Sequence, residues 1–263
     1  MADIPFLDLP PRTAKPRRAG LTQVIDSGLP VDAVASLLPV IAPYVDVWRL
    51  GWGTAYLDPT AGDKVALLAR HEVHACLGGT LLEVAWLQGR ADRCLDWAAD
   101  LGFPWVEVSN GAAGMPTPAK RRLIAGAAER FTVVAEVGSK DPAAAVSGAA
   151  WAAEMVGDLR AGAAYAVAEG RESGTVGVYT PDGEVREDVV ETVAETVGPD
   201  LVLFEAPQKH QQAWFVCRFG SDVGLANVAP AAVLGLEALR LGLRADTIGL
   251  TRSRQAATAP SGP

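Results

Sequence analysis

The chain has 263 residues, 49% of them apolar, with 23 Lys and Arg against 31 Asp and Glu and a formal net charge of -8. That length suits one large domain or two small ones, and the apolar fraction allows a sizeable core. The acidic balance argues against nonspecific nucleic-acid binding, and no apolar run reaches the length of a membrane span.

The opening stretch, 1–18, is turn-rich and reads as an irregular segment, with a barrel domain expected over 19–250 and a polar, proline-bearing tail over 251–263. LTQVID (21–26) is the first predicted strand, followed by a helix over 31–41 cut by Pro39 and Pro43. VDVWRL (45–50) is the second strand, and 60–70 is helical. HACL (74–77) is the third, leading through Gly78–Gly79–Thr80 into one long helix ending near Asp100. WVEVS (105–109) is the fourth, before a helix from Thr117, with Thr117 as cap and Pro118 at the first helical position. TVVAEVG (132–138) is the fifth, and Asp141–Pro142 is expected to start the next helix. AYAVAE (164–169), LVLFE (201–205) and the weaker VGLANV (223–228) complete the strands, with helices over 186–197, 208–218 and 230–242.

Short strands alternating with helices specify an α/β fold with a parallel sheet. An open doubly wound sheet competes. Eight units without a linker, in a chain near the roughly 250 residues a (β/α)8 TIM barrel needs, favour the closed form.

Barrel enzymes place their chemistry at the C-terminal ends of strands. Glu107, Glu136, Glu169 and Glu205 are expected there, with Asp26 and Asp46 near the first two strands. One such Glu is ordinarily a structural ion-pair member; four in equivalent places point to a site. Arg49, Lys140, Arg171 and Lys209 follow or end strands as well. They read either as a neutralising rim or as grips on a phosphate or carboxylate. The carboxylates suit Mg²⁺, which takes oxygen ligands. His71, His74 and Cys76 form no completed zinc set and read as structural. EGRESG (169–174) carries glycines that permit close backbone approach to a ligand. DVGLANV (222–228) is a weak phosphate-cradle pattern. Among seven dispersed tryptophans, Trp52 in GWGT is the ligand-side candidate. Cys76, Cys94 and Cys217 form no paired framework, which points to reduced thiols and a cytoplasmic location.

In order, KPRRAGLTQVIDSGL (15–29), DVWRLGWGT (46–54), GGTLLE (78–83), VEVSNG (106–111), AEVGSK (135–140), EGRESG (169–174), FEAPQKHQQ (204–212), DVGLANV (222–228) and LEALRLGLRADT (236–247) resemble the phosphosulfolactate synthase family. The resemblance implies a (β/α)8 barrel and a Mg²⁺-dependent addition of sulfite to phosphoenolpyruvate. It implies Lys140 as the acid that protonates C2. Glu107, Glu136, Glu169 and Glu205 become catalytic or orienting groups, with Glu136, Glu169 and Glu205 as metal ligands. The ligand-side set becomes Asp26, Arg49, Trp52, Ser109, Asn110, Arg171, Glu172, Ser173, Lys209, Gly224 and Asn227. The chain departs from the family's common pattern at Arg49 (commonly Lys), Ser139 (Lys), Asn110 (Asp), Gly224 (Asn) and Ala226 (Gly). Those departures leave two alternatives: a related enzyme using another nucleophile or small anion, and a noncatalytic barrel. A small anionic substrate is the expected partner, with no nucleic acid and no membrane, and a homo-oligomer is left open.

Overall fold

The computed structural model describes residues 6–138 and 147–251. Eight parallel strands close into a barrel in sequence order: β1 (Thr22–Asp26), β2 (Val47–Leu50), β3 (His74–Leu77), β4 (Trp105–Val108), β5 (Thr132–Val137), β6 (Tyr165–Ala168), β7 (Val202–Glu205) and β8 (Gly224–Val228). β8 pairs back onto β1, so the sheet has no free edge.

The outer layer comprises α1 (Val31–Ile41), α2 (Thr54–Leu57), α3 (Ala61–Arg70), α4 (Gly79–Leu87), α5 (Ala91–Asp100), α6 (Thr117–Ala128), α7 (Gly148–Arg160), α8 (Glu187–Val197), α9 (Lys209–Phe219) and α10 (Val233–Arg240). Three sequence expectations need correction. α1 runs through Pro39, and Pro43 instead sits in a 3-10 turn over Ala42–Tyr44. The expected long helix after β3 is two helices, because Gly89 adopts φ 65 and the Gly89 and Arg90 N–H groups fold back onto Trp86 and Ala85. Thr117 is not a cap; Pro116 holds that position and Thr117 is already helical. The expected helix start at Asp141–Pro142 lies outside the described residues, and α7 is capped by Ser147.

Strand alternation divides the side chains into two sets. Outward residues such as Val24, Trp48, Ala75, Val106, Ala135 and Phe204 join one large core with the helices. Inward residues form a separate apolar plug: Leu21, Val47, Cys76, Trp105, Val134, Val167, Leu203 and Ala226. His74, Trp105 and Tyr165 stack in a row near its base, with ring centroids 5.3 and 5.7 Å apart. Two residues beyond the plug, on the same face, come Arg49, Glu107, Glu136, Glu169 and Glu205. The pattern apolar–x–charged thus recurs on five strands, and closure turns it into a ring of charge on an apolar floor.

Candidate active site

The ring opens into a cavity of about 210 Å³ lined by Ile25, Arg49, Trp52, Thr80, Ala112, Glu136, Glu169, Arg171, Glu172, Glu205 and Asn227. All of these lie on or just after the C-terminal ends of strands, or in the loops and helix starts that follow them.

Arg49 organises the floor. Its side chain is only 6% exposed and meets Glu107 at 2.5 Å, Glu205 at 3.1 Å and Glu136 at 3.5 Å. Nη2 also donates to Asn227 Oδ1. Burial disfavours the guanidinium charge, but the attraction of Glu107, Glu205 and Glu136 holds its pKa well above the ordinary value. Burial pushes the Glu107 carboxyl up, against the pull of Arg49 and with the help of nearby Glu136.

Two of the glutamates are fastened at both oxygens. Glu107 Oε1 accepts the Gly79 N–H at 3.0 Å, at the positive end of α4, while Oε2 faces Arg49. Glu205 Oε1 faces Arg49, and Oε2 accepts the N–H groups of Gly170 and Arg171, each at 2.9 Å. Arg171 N–H also reaches Glu169 Oε1 at 2.8 Å. The turn after β6 is therefore pinned to the barrel floor by carboxylates. Gly170 must be glycine there, because a Cβ would come within 2.6 Å of the Tyr179 ring. Of the four described non-glycine residues with positive φ, namely Trp52, Glu72, Arg171 and Asn227, three line this cavity. Backbone strain of that kind persists where the surroundings over-determine it, and it clusters at functional sites.

The cavity gathers Arg49, Trp52, Glu136, Glu169, Arg171, Glu172, Glu205 and Asn227 from the sequence expectations. Glu107 joins them beneath the surface as a partner of Arg49. Six expected ligand contacts stand elsewhere. Asp26 has the outward parity of Val24; it binds Trp48 Nε1, Lys64 and the N–H groups of Gly28 and Leu29. Ser109 donates to Glu83 at 2.5 Å. Asn110 clamps the Met115 backbone through both amide atoms. Ser173 pairs with Thr175 on the exposed side of its turn. Lys209 is half exposed and pairs with Asp246 at 2.9 Å. Gly224 opens β8 at the opposite end of the barrel, where a Cβ would meet the Val202 carbonyl. Asp46 likewise precedes β2, binding Arg17 and the Thr22 N–H. The 222–228 segment is consequently no phosphate cradle; it begins at the base, with Asp222 held by Arg12, and only Asn227 reaches the mouth. Lys140 and Ser139 lie outside the described residues.

Sequence reading missed Glu83, whose carboxylate accepts from Ser109 and from the N–H groups of Ala112 and Ala113 at 2.9 and 2.6 Å. It also missed Thr80 and Ile25 in the wall. The GGTLLE segment was the signal, since a buried Glu on an apolar helix face must serve a partner.

The fit of Mg²⁺ to this donor set is good in one respect and limited in another. Oxygen donors from Glu136 and Glu169 face the same cavity. Among the described residues, however, no group of three or more His, Cys, Asp or Glu is poised around one point. Both Glu205 oxygens are already engaged by Arg49 and the Gly170–Arg171 backbone. Mg²⁺ commonly relies on one or two carboxylates plus water and substrate oxygens, so Glu136 and Glu169 suffice.

A model of the family described as (2R)-phospho-3-sulfolactate synthase (ComA) matches residues 10–246. The chain belongs to that family. It is 39% identical over 246 residues to the phosphosulfolactate synthase of Methanothermobacter thermautotrophicus, covering 91% of this chain and 95% of that protein. It is 36% identical over 247 residues to the phosphosulfolactate synthase of Bacillus subtilis, covering 93% and 98%. Among solved structures, a 3-hexulose-6-phosphate synthase aligns with TM-score 0.52 and 18% identity, over 91% of this chain and 100% of that one. The YdjI aldolase from Escherichia coli K12 aligns with TM-score 0.54 and 14% identity, over 93% of each chain. Those two share the fold alone. The charges that a noncatalytic descendant would leave scattered converge here on one cavity, in a family of carbon–sulfur bond-forming enzymes. No helix among the described residues is long and apolar enough to cross a membrane.

Proposed function

We propose that this chain adds sulfite to phosphoenolpyruvate in a Mg²⁺-dependent reaction, forming phosphosulfolactate. The observation that carries the reading is the charge content of the cavity in a member of this family. Glu136, Glu169, Glu172 and Glu205 line it against Arg49 and Arg171. Two guanidinium groups cannot offset four carboxylates and two incoming anions, so a site built this way calls for a divalent cation.

The bond that forms joins the sulfite sulfur to the methylene carbon of phosphoenolpyruvate. The alkene electron pair moves to C2 and into the carboxylate as an enediolate, and a proton is then delivered to C2. Arg171, at the mouth, grips the phosphate or carboxylate edge of the substrate. Arg49 offers positive charge from the floor, oriented by Glu107, Glu205 and Asn227. Trp52, 43% exposed at the rim, supplies an apolar wall that limits water. Glu136 and Glu169 would hold the cation. When bound, Mg²⁺ supplies electrostatic stabilisation of the charge that develops on the substrate carboxylate. Lys140 is assigned as the acid that delivers the proton to C2. The thiols of Cys76, Cys94 and Cys217 are free, which supports a reducing, cytoplasmic setting.

The reading with another nucleophile loses two of its motives, while of the other departures Arg49 lines the cavity and Ser139 lies outside the described residues. Asn110 fastens a loop and Gly224 stands at the far end of β8, so neither departure from the family pattern touches the cavity. Mass detection of phosphosulfolactate from sulfite, phosphoenolpyruvate, Mg²⁺ and folded enzyme tests the proposal. Product that disappears on chelation is the expected result; no product across neutral to alkaline pH and several divalent metals would overturn it.

A further inference from the structure

Buried polar groups in folded proteins are nearly always hydrogen-bonded, and each exception calls for a reason. Two exceptions lie on neighbouring strands beneath the cavity. Gln23 is fully buried, and neither atom of its carboxamide has a hydrogen-bond partner. Arg49 Nε is buried and likewise lacks an acceptor, although the outer guanidinium nitrogens are engaged.

Their placement relates them. Leu21, Gln23 and Ile25 share the inward face of β1, and Ile25 lines the cavity. In register, Ile25 stands beside Arg49 and Gln23 beside Val47. Gln23 is therefore one inward position below Arg49 on the adjacent strand, with Cα atoms about 8 Å apart by strand rise and spacing. Two side chains of this length can span that diagonal with a water between them. The apolar plug supplies its neighbours at this depth, among them Val47, Val134, Val167, Leu203 and Ala226, together with the Cys76 thiol, whose pKa burial pushes well up. A carboxamide in such a layer costs stability unless it serves another polar group.

We propose that Gln23 is a positioning residue for Arg49: a single buried water accepts the guanidinium Nε–H and donates to the Gln23 carboxamide oxygen. The outer nitrogens are fixed on two sides, toward Glu107 and Glu136 and toward Glu205 and Asn227. A bond at Nε fixes the third side and so sets the plane of the guanidinium beneath the substrate. The coupling requires arginine. A lysine ammonium is a point charge at the tip of its stem and has no N–H at that depth. The proposal deepens the anion-site reading of the cavity and rests on it for its kinetic consequence only.

Four proteins test it: wild type, Gln23→Met, Arg49→Lys and the double variant. Gln23→Met is expected to raise KM for phosphoenolpyruvate about tenfold, the worth of one hydrogen bond to a charged group, with a smaller change in kcat. In the Arg49→Lys background the same replacement is expected to change KM less than twofold further. Equal effects in both backgrounds, or less than a twofold change in the wild-type background, would overturn the proposal. Nitrogen-15 NMR of the Arg49 Nε–H group supplies a readout that needs no turnover. Slow exchange in wild type, lost in Gln23→Met, supports the bond; an unchanged signal overturns it even if the protein proves to act on another substrate. Should Gln23→Met fail to fold, Gln23→Glu retains the acceptor and is expected to retain the slow Nε–H signal, and rapid exchange there would reject the pairing.

Discussion

Lys120 holds Glu136 from behind: its ammonium donates to the Glu136 backbone carbonyl at 2.8 Å, while the Glu136 side chain enters the cavity on the other face of β5. The same ammonium pairs with Asp158 at 2.7 Å and Glu154 at 2.8 Å. A fully buried cation on the helix side thus fixes a strand that presents a carboxylate on the barrel side. Replacing Lys120 by Met would leave Asp158 buried without its main partner. Burial already pushes the Asp158 carboxyl up against the pull of Lys120. A loss of about 3–5 kcal/mol in urea unfolding at neutral pH is expected, and a loss below 1 kcal/mol would show that the ion pair carries little.

Arg49→Met should damage stability as well as turnover. Glu107, Glu136 and Glu205 would face one another with no cation between them. The expected cost is about 3–5 kcal/mol at pH 7. The deficit should shrink as pH falls, because protonation relieves the repulsion and Glu107 already takes up its proton more readily than usual. Parallel unfolding curves at pH 7 and pH 5 measure this, and a deficit that grows on acidification would contradict the arrangement.

Arg171 differs from Arg49 in that its side chain stands at the mouth, while its backbone N–H does the fastening. Arg171→Ala preserves that N–H. KM for the anionic substrate should rise about 10- to 100-fold, from the loss of one charge-assisted hydrogen bond, with unfolding stability changed by less than about 1 kcal/mol. Unchanged KM and kcat would remove Arg171 from contact with substrate.

Lys140→Met tests the assigned acid. Loss of a general acid lowers kcat about 10²- to 10⁴-fold, and circular dichroism should show the fold intact. Near-normal turnover would transfer the role to another group.

At the base of the barrel, Arg12 and Thr13 of the opening segment bind Asp222, with the Arg12 contact at 2.6 Å. Burial alone would raise the Asp222 pKa, but hydrogen bonds from Arg12 and Thr13 bring it below the ordinary 3.8. A carboxylate depressed in the folded state contributes stability above its unfolded pKa and loses it as pH falls through the folded value. Wild type should therefore lose stability below pH 3.8 in a way that Asp222→Asn does not. Acid unfolding followed by tryptophan fluorescence compares the two, and coincident curves would show that this contact carries no pH dependence.

Much of the fold was legible because alternation and punctuation are local. The order of the eight strands and most helix positions follow from short apolar runs between helical segments. The break at Gly89 was hidden, since glycine inside an apolar helix pattern does not announce a left-handed turn. At the site, the strand-end position of Glu107, Glu136, Glu169 and Glu205 was equally legible, from their fixed spacing to the apolar residue two places earlier.

What the residue order by itself determined is the barrel, the end of it that carries charge, and the strands that contribute. Only the closed structure decided which charged groups face a ligand and which fasten the frame. Asp26 and Ile25 are chain neighbours, yet one meets Lys64 outside the barrel and the other lines the cavity. Glu107 and Glu205 look equivalent along the chain, but one lies beneath the cavity, held by the Gly79 N–H, and the other lines it, held by the N–H groups of Gly170 and Arg171. The physical reason is that a buried carboxylate takes its role from the donors that surround it, and those donors arrive from other strands and turns only when the sheet closes.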